Sequence, residues 1–240
     1  MREPESKPVL IVLHQAHSTP GRVGLRLMAR GHRLDIRRPR FGDSLPDTLA
    51  EHAAAVIFGG PMSANDEDDY IGVETDWIRV ALAEEAPFLG LCLGAQMLAR
   101  HLGAPVTSHP EGRVEVGYYP LRATPAGREL MEWPDYVHHF HREGFELPDG
   151  SVLLAEGDIF RNQAFAYGRA AFGIQFHIEL TMAMVGRWTR SVAEREPMPG
   201  AQAPAAHFTG RALHDWKTAR FLDTFLDHWL ARDPRNGFGG

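Results

Sequence analysis

Cys92 is the only cysteine of the chain, and its setting is the first sign of chemistry. It stands in Phe88-Leu89-Gly90-Leu91-Cys92-Leu93-Gly94-Ala95-Gln96, where an apolar run ends in Gly-x-Cys-x-Gly and passes into a helix-forming segment. That pattern is a nucleophile elbow with cysteine in place of serine. A side chain at either flanking glycine would collide with the adjoining strand or helix, because the turn is so sharp. The turn strains the nucleophile's backbone and pushes its side chain out over the sheet edge. The helix expected from Ala95 to His101 points its amide end at the sulfur, which stabilises a thiolate against a free-thiol pKa of about 8.5. The motif is short, however, and a lone cysteine also fits as a small buried apolar residue.

A thiol nucleophile needs a base, and the base needs a group that fixes its tautomer. Phe172-Gly173-Ile174-Gln175-Phe176-His177-Ile178-Glu179-Leu180 supplies both: a buried strand ends at His177, and Glu179 can reach back to the ring. Separately, His177 also fits as a core histidine bonded to backbone, and Glu179 as a carboxylate at a helix start. Thioester chemistry further requires two donors for an oxyanion. The elbow places one on the amide of Leu93, and the second comes from a loop after an earlier strand. Gly59-Gly60-Pro61 offers the Gly60 amide with no side chain in the way, although the tripeptide alone could be a tight turn.

These residues need a scaffold, and the hydrophobic pattern describes one. Val9–Leu13 is a short β-branched apolar strand of the type buried on both faces of a parallel sheet. A helix over 22–30 closed by Gly31, a strand over 32–37, a short helix over 46–52 and a strand over 54–58 follow. An acidic surface run at 66–69 precedes a helix over 70–85, and a strand over 87–91 enters the elbow. This alternation predicts an α/β fold with a doubly wound, mostly parallel sheet flanked by helices. In such sheets the site lies beyond the carboxyl ends of the strands, where the elbow and Gly59-Gly60-Pro61 both fall. Strands are expected at 105–107, 114–122, 136–140, 151–155, 163–167 and 171–176. Turn signals at Pro125-Ala126-Gly127 and Pro148-Asp149-Gly150 separate several of them. They form the far half of the sheet and a small β subdomain. A helix is expected from Glu179 to about Ala193.

The Pro- and Ala-rich stretch 198–206 reads as a linker or loop. Residues 207–232 carry an amphipathic pattern that predicts one or two helices folded back on the domain, or else a helix for a partner. Residues 234–240 are expected to be disordered. The domain division is therefore 1–195 for the main domain and 196–240 for a C-terminal helical extension.

Composition narrows the function classes. The net charge is −6 over 240 residues and no Lys/Arg cluster stands out, so nucleic-acid binding is not expected. One cysteine excludes an internal disulfide and fits a reducing compartment. Residues 1–8 lack an apolar signal core, and no apolar run is long enough to span a bilayer. A soluble cytoplasmic protein with no membrane contact is the expectation.

Gly59-Gly60-Pro61, Gly90–Gln96 and Gly173–Glu179 together resemble, in order and spacing along about residues 8–195, the class I glutamine amidotransferase domain. That domain is the glutaminase part of enzymes such as GMP synthetase. Stand-alone, GMP-synthetase-like members look nearest, because Glu115–Pro120 and His139–Pro148 are similar to that subgroup's intermediate motifs. The resemblance implies a flavodoxin-like sheet and a thiol amidohydrolase acting on the glutamine side chain. It implies Cys92 as nucleophile, His177 as base and acid, Glu179 as its orienting group, and Gly60 and Leu93 as oxyanion donors. Gln96 matches a family position that helps bind substrate, though it also reads as an ordinary helix residue.

Many relatives carry Ser-His-Gly-Asp at positions 140–143, where the amino-acid end of glutamine is recognised. Here Phe140 and Arg142 depart from that pattern, which leaves His141, Arg142 and Glu143 as candidate substrate-binding residues. A guanidinium at 142 can bind a carboxylate bidentately or point to solvent. His139 and His141 could form a chelating pair, but no third ligand stands nearby in the sequence. No metal and no cofactor are expected, and His138 and His139 read as structural.

The same scaffold also fits a γ-glutamyl peptide or amide hydrolase, or a non-catalytic regulatory subunit. No Gly-x-x-x-x-Gly-Lys-Ser/Thr sequence is present, so an ATP-using synthase would be a separate protein that accepts the ammonia.

Overall fold

The computed structural model describes residues 6–193 and 198–233. The expectation of disorder over 234–240 lies outside them, as does most of the N-terminal segment. In chain order the elements are β1 (Val9–Val12), α1 (Gly21–Ala29), β2 (Leu34–Arg37), β3 (Ala54–Ile57), α2 (Asp69–Ala83), β4 (Phe88–Leu91) and α3 (Leu93–His101). Next come β5 (Val106–Ser108), β6 (Glu115–Pro120), β7 (Arg122–Ala123), α4 (Pro125–Leu130), β8 (Tyr136–His141), β9 (Glu143–Phe145) and β10 (Ser151–Glu156). The chain ends with β11 (Asn162–Tyr167), β12 (Ala171–Ile174), α5 (Met182–Ala193) and α6 (Pro204–Leu230).

The main sheet runs β2-β1-β3-β4-β12-β11-β10-β7. Its first five strands are parallel, and the remaining three turn antiparallel. β1, β3, β4 and β12 are buried at every position, because helices cover both faces of the sheet. α2 and α3 pack on one face, around Ile71, Ile78, Met97 and Leu98. α1 and α6 cover the other, where Phe221, Leu222, Phe225, Leu226 and Trp229 join Val9, Val56, Leu89 and Phe172. Two small antiparallel ladders, β5–β9 and β6–β8, stand beyond the sheet as the β subdomain. Among the described residues no helix is long and apolar enough to cross a membrane.

The structure departs from the sequence expectation at three places. Residues 46–52 form turns rather than a helix, because their polar groups are bonded to α2 and the residue that follows it. Trp77 Nε1 donates to the Pro46 carbonyl at 2.7 Å, and the Leu49 amide donates to Glu84 at 3.0 Å. Pro125-Ala126-Gly127 opens a helix instead of a turn. Thr124 accepts from the Gly127 amide at 3.1 Å, and proline occupies the first helical position, where no amide is needed. α5 begins at Met182, later than expected. Glu179 is drawn into a turn, with its carbonyl accepting from Arg22 at 2.8 Å, and Thr181 bonds the Met184 amide at 3.3 Å.

Candidate active site

The parallel register makes the strand ends level. Ile57 pairs with Gly90, and Gly90 and Leu91 pair with Gly173 and Ile174. The residues just past these ends, Gly59, Cys92 and His177, are thereby brought to one place.

Cys92 sits between β4 and α3 with φ +50° and ψ −103°, a conformation that costs a non-glycine residue about 1–3 kcal/mol. Its amide donates to the Ile174 carbonyl at 2.8 Å, and its carbonyl accepts from Gln96 at 3.1 Å. A Cβ on Gly90 would overlap the Gly94 backbone, and one on Gly94 would overlap the Ile57 carbonyl. The two glycines of the motif are therefore fixed by close packing of strand, turn and helix.

His177 Nδ1 lies 2.7 Å from Glu179 Oε1, with both side chains 4 % exposed. The His177 amide donates to the His138 carbonyl at 2.9 Å. Its ring stands edge-on to Trp188 at 4.7 Å. Burial alone would push the imidazole down, but the negative charges of Glu179 and of the Cys92 sulfur outweigh it and hold His177 at about 10. A thiolate–imidazolium pair braced by a carboxylate can attack a carbonyl carbon and then protonate a leaving amine.

Gly59 fits closely between the two partners. A Cβ there would lie 3.2 Å from His177 Cε1 and 3.3 Å from Cys92 Cβ. Gly60 follows it, and Leu93 opens α3 directly after the sulfur. The Gly60 amide bonds no other group of the protein among the described residues.

The remaining sequence-predicted residues lie at the β8–β9 turn. Gln96 is buried, and its Nε2 donates to the Glu143 carbonyl at 2.8 Å and to Gln175 at 3.2 Å. It therefore braces the backbone of the turn. His141 Nδ1 donates to the same carbonyl at 2.9 Å. Arg142 is exposed and Glu143 half-buried. Phe140 packs against Trp188 at 5.4 Å, placing an aromatic pair beside His177.

Sequence reading found no third group near the two histidines, yet pairing of β6 with β8 supplies one. Glu115 Oε2 lies 3.0 Å from His141 Nε2 and 3.5 Å from His139 Nδ1, and it accepts from Gln163 at 2.8 Å. Burial opposes charge on Glu115, but the neighbouring rings and Gln163 hold its carboxyl down at about 2. Burial drives His139 down to about 3. Sequence reasoning also missed His14, Glu74, Trp188 and Gln175. Glu74 had a signal, since it falls on the apolar stripe between Ile71 and Ile78.

Residues 23–187 match the family model described as glutamine amidotransferase class-I. The glutamine amidotransferase-like protein YfeJ of Salmonella typhimurium is 32 % identical over 187 residues, covering 74 % of this chain and 77 % of that protein. The glutamine-hydrolyzing component of the GMP synthase of Thermoplasma acidophilum is 30 % identical, covering 55 % of this chain and 66 % of that one. The crystal structure of a glutamine amidotransferase from Methylobacillus flagellatus superposes with a TM-score of 0.82 at 29 % identity, covering 96 % of this chain and 95 % of its own. A glutamine amidotransferase from Thermotoga maritima gives 0.82 at 27 % identity, with 95 % and 99 % covered. The family model spans the strands and helices that carry the elbow and the strand-end histidine, and the doubly wound sheet recurs in relatives that cover nearly the whole chain: the protein belongs to the class I glutamine amidotransferase family.

Proposed function

We propose that the protein hydrolyses the side-chain amide of glutamine to glutamate and ammonia through Cys92, His177 and Glu179. The observation that carries this reading is the convergence of the strained Cys92 turn with a buried His177–Glu179 pair across the small Gly59. The sulfur attacks the amide carbon, forming a C–S bond while the carbonyl electrons move to oxygen. The Gly60 and Leu93 amides hold that oxyanion. His177 passes its proton to nitrogen, the C–N bond breaks, and ammonia leaves a γ-glutamyl thioester. Water attacks the thioester, gives a proton to His177, and expels the Cys92 thiolate with glutamate.

Gln96, His141 and Glu143 shape the wall that takes the amino-acid end of the substrate, and Arg142 pairs with its carboxylate. The Glu115–His139–His141 set serves as a hydrogen-bond network behind that wall rather than as a metal centre, because each facing atom already has a partner. Residues 1–195 form the catalytic domain, and 196–240 are an extension packed on it. The GMP synthase relatives support a separate synthase protein as acceptor of the ammonia. Phe140 beside Trp188, with Arg142 exposed, favours a second reading as a hydrolase of larger γ-glutamyl amides or peptides.

Incubation with L-glutamine and a panel of γ-glutamyl amides, measuring glutamate and ammonia beside Cys92→Ala, tests both. Glutamine turnover lost in the variant supports the first reading. Turnover of the amides alone supports the second. Turnover that survives Cys92→Ala rejects both.

A further inference from the structure

Behind Gly60 lies a buried pair that this reaction does not use. His14 follows β1, Glu74 lies on α2, and both side chains are 0 % exposed. His14 Nε2 is 2.6 Å from Glu74 Oε2, and His14 Nδ1 is 3.3 Å from the Gly59 carbonyl oxygen. A carbonyl oxygen only accepts, so Nδ1 carries a hydrogen and donates it. That holds whichever partner keeps the proton between Nε2 and Oε2. Glu74 Oε1 bonds nothing among the described residues, so the carboxyl's one polar contact there is with the ring. A carboxyl buried for a single bond is costly to keep.

The Gly59 carbonyl and the Gly60 N–H belong to one peptide unit. That unit is planar and trans, since no cis peptide occurs among the described residues. Its N–H therefore points opposite to its C=O, and whatever holds the oxygen also aims the hydrogen. Some restraint is needed here. Two consecutive glycines allow close approach to the site, but they leave the peptide between them free to rotate. His14 also packs directly beneath, where a Cβ on Gly60 would come within 3.1 Å of His14 Cβ.

We infer that His14, held by Glu74, is a positioning residue that locks the Gly59–Gly60 peptide so that the Gly60 amide is presented to the oxyanion. The inference rests on Cys92 as nucleophile. Its test separates two reactions of the same sulfur. Acylation by p-nitrophenyl acetate passes through an oxyanion, whereas alkylation by iodoacetamide at a saturated carbon does not.

The double variant His14→Leu/Glu74→Met replaces the pair by apolar side chains of similar volume, which keeps the fold. Acylation is expected to fall about 10- to 100-fold while alkylation stays within about twofold. His14→Asn, whose amide nitrogen can still donate to the Gly59 carbonyl, recovers most of the acylation. With glutamine the loss falls on kcat and leaves KM in place.

Equal losses in both reactions would show a merely structural pair and overturn the inference, as would unchanged acylation in the double variant. A parent protein that is alkylated but never acylated has no oxyanion site to hold, and that too overturns it. A parent acylated by the ester but inert toward glutamine would reject the glutamine reading, while the comparison of variants still decides the lock.

Discussion

Replacing Glu179 by glutamine removes a charge and keeps the shape. The carboxylate lies 2.7 Å from His177 Nδ1 in a setting where both side chains are 4 % exposed. Two unit charges about 4 Å apart at an effective dielectric of about 20 attract by about 4 kcal/mol. The glutamine oxygen still accepts the ring N–H, and a neutral hydrogen bond returns about 1 kcal/mol. The net loss of about 3 kcal/mol is worth about two pKa units. Losing an anion destabilises the imidazolium, so His177 moves down from about 10. Two units bring it to about 8. His177 is the acid that protonates departing ammonia in the proposed reaction, so the alkaline limb of kcat/KM follows it. At about pH 9 the imidazolium fraction drops from roughly nine-tenths to roughly one-tenth, about a tenfold loss beyond any loss that is independent of pH. Glutamate release by parent and Glu179→Gln across about pH 6 to 11 measures this. An alkaline limb that stays within about 0.3 pH units of the parent would refute the coupling of Glu179 to His177.

Three further outcomes follow from the packing and the charges. Gly94→Ala drives a Cβ into the Ile57 carbonyl. It should displace α3 from the sheet, lowering the melting temperature and abolishing alkylation of Cys92; a variant as stable and as readily alkylated as the parent contradicts the close-packed elbow. Trp229→Ala empties a site that is 0 % exposed. It should cost about 3–5 kcal/mol, a fall in Tm of about 10 °C by calorimetry. Glu115 has a folded carboxyl at about 2 against 4.5 unperturbed, so its contribution is present above pH 4.5 and fades as pH falls toward 2. Urea unfolding of Glu115→Gln should lie below the parent at about pH 7, with the gap narrowing by about 2 to 3 kcal/mol at about pH 2.5. A gap that does not change with pH counts against it.

Much of the fold was legible because buried parallel strands announce themselves. Val9–Val12, Ala54–Ile57 and Phe88–Leu91 read as continuous apolar runs, and each is buried throughout. The Cys92 elbow was legible for a local reason: its glycines are demanded by the turn itself. Residues 46–52 were misread because a helical pattern cannot reveal that Pro46 and Leu49 bond to α2 and Glu84. Long-range pairs were out of reach. Glu115 meets His141 only through the β6–β8 register, and His14 meets Glu74 across 60 positions of sequence. A buried polar residue on an apolar stripe, as at Glu74, marks such a pair without naming its partner.

The helix over 204–230 has a consequence for how the molecule comes into being. Phe221, Phe225 and Trp229 complete a core that also contains Val9, Ile11 and Phe172. Synthesis runs from the N-terminus, so the earliest strands wait for the latest helix. While the ribosome still holds α6, the elbow and its histidine have already emerged, but one side of the sheet that carries them is bare. A message cut short before codon 204 would encode every residue assigned to the site and still yield a chain with that greasy side uncovered, a target for chaperones and proteases.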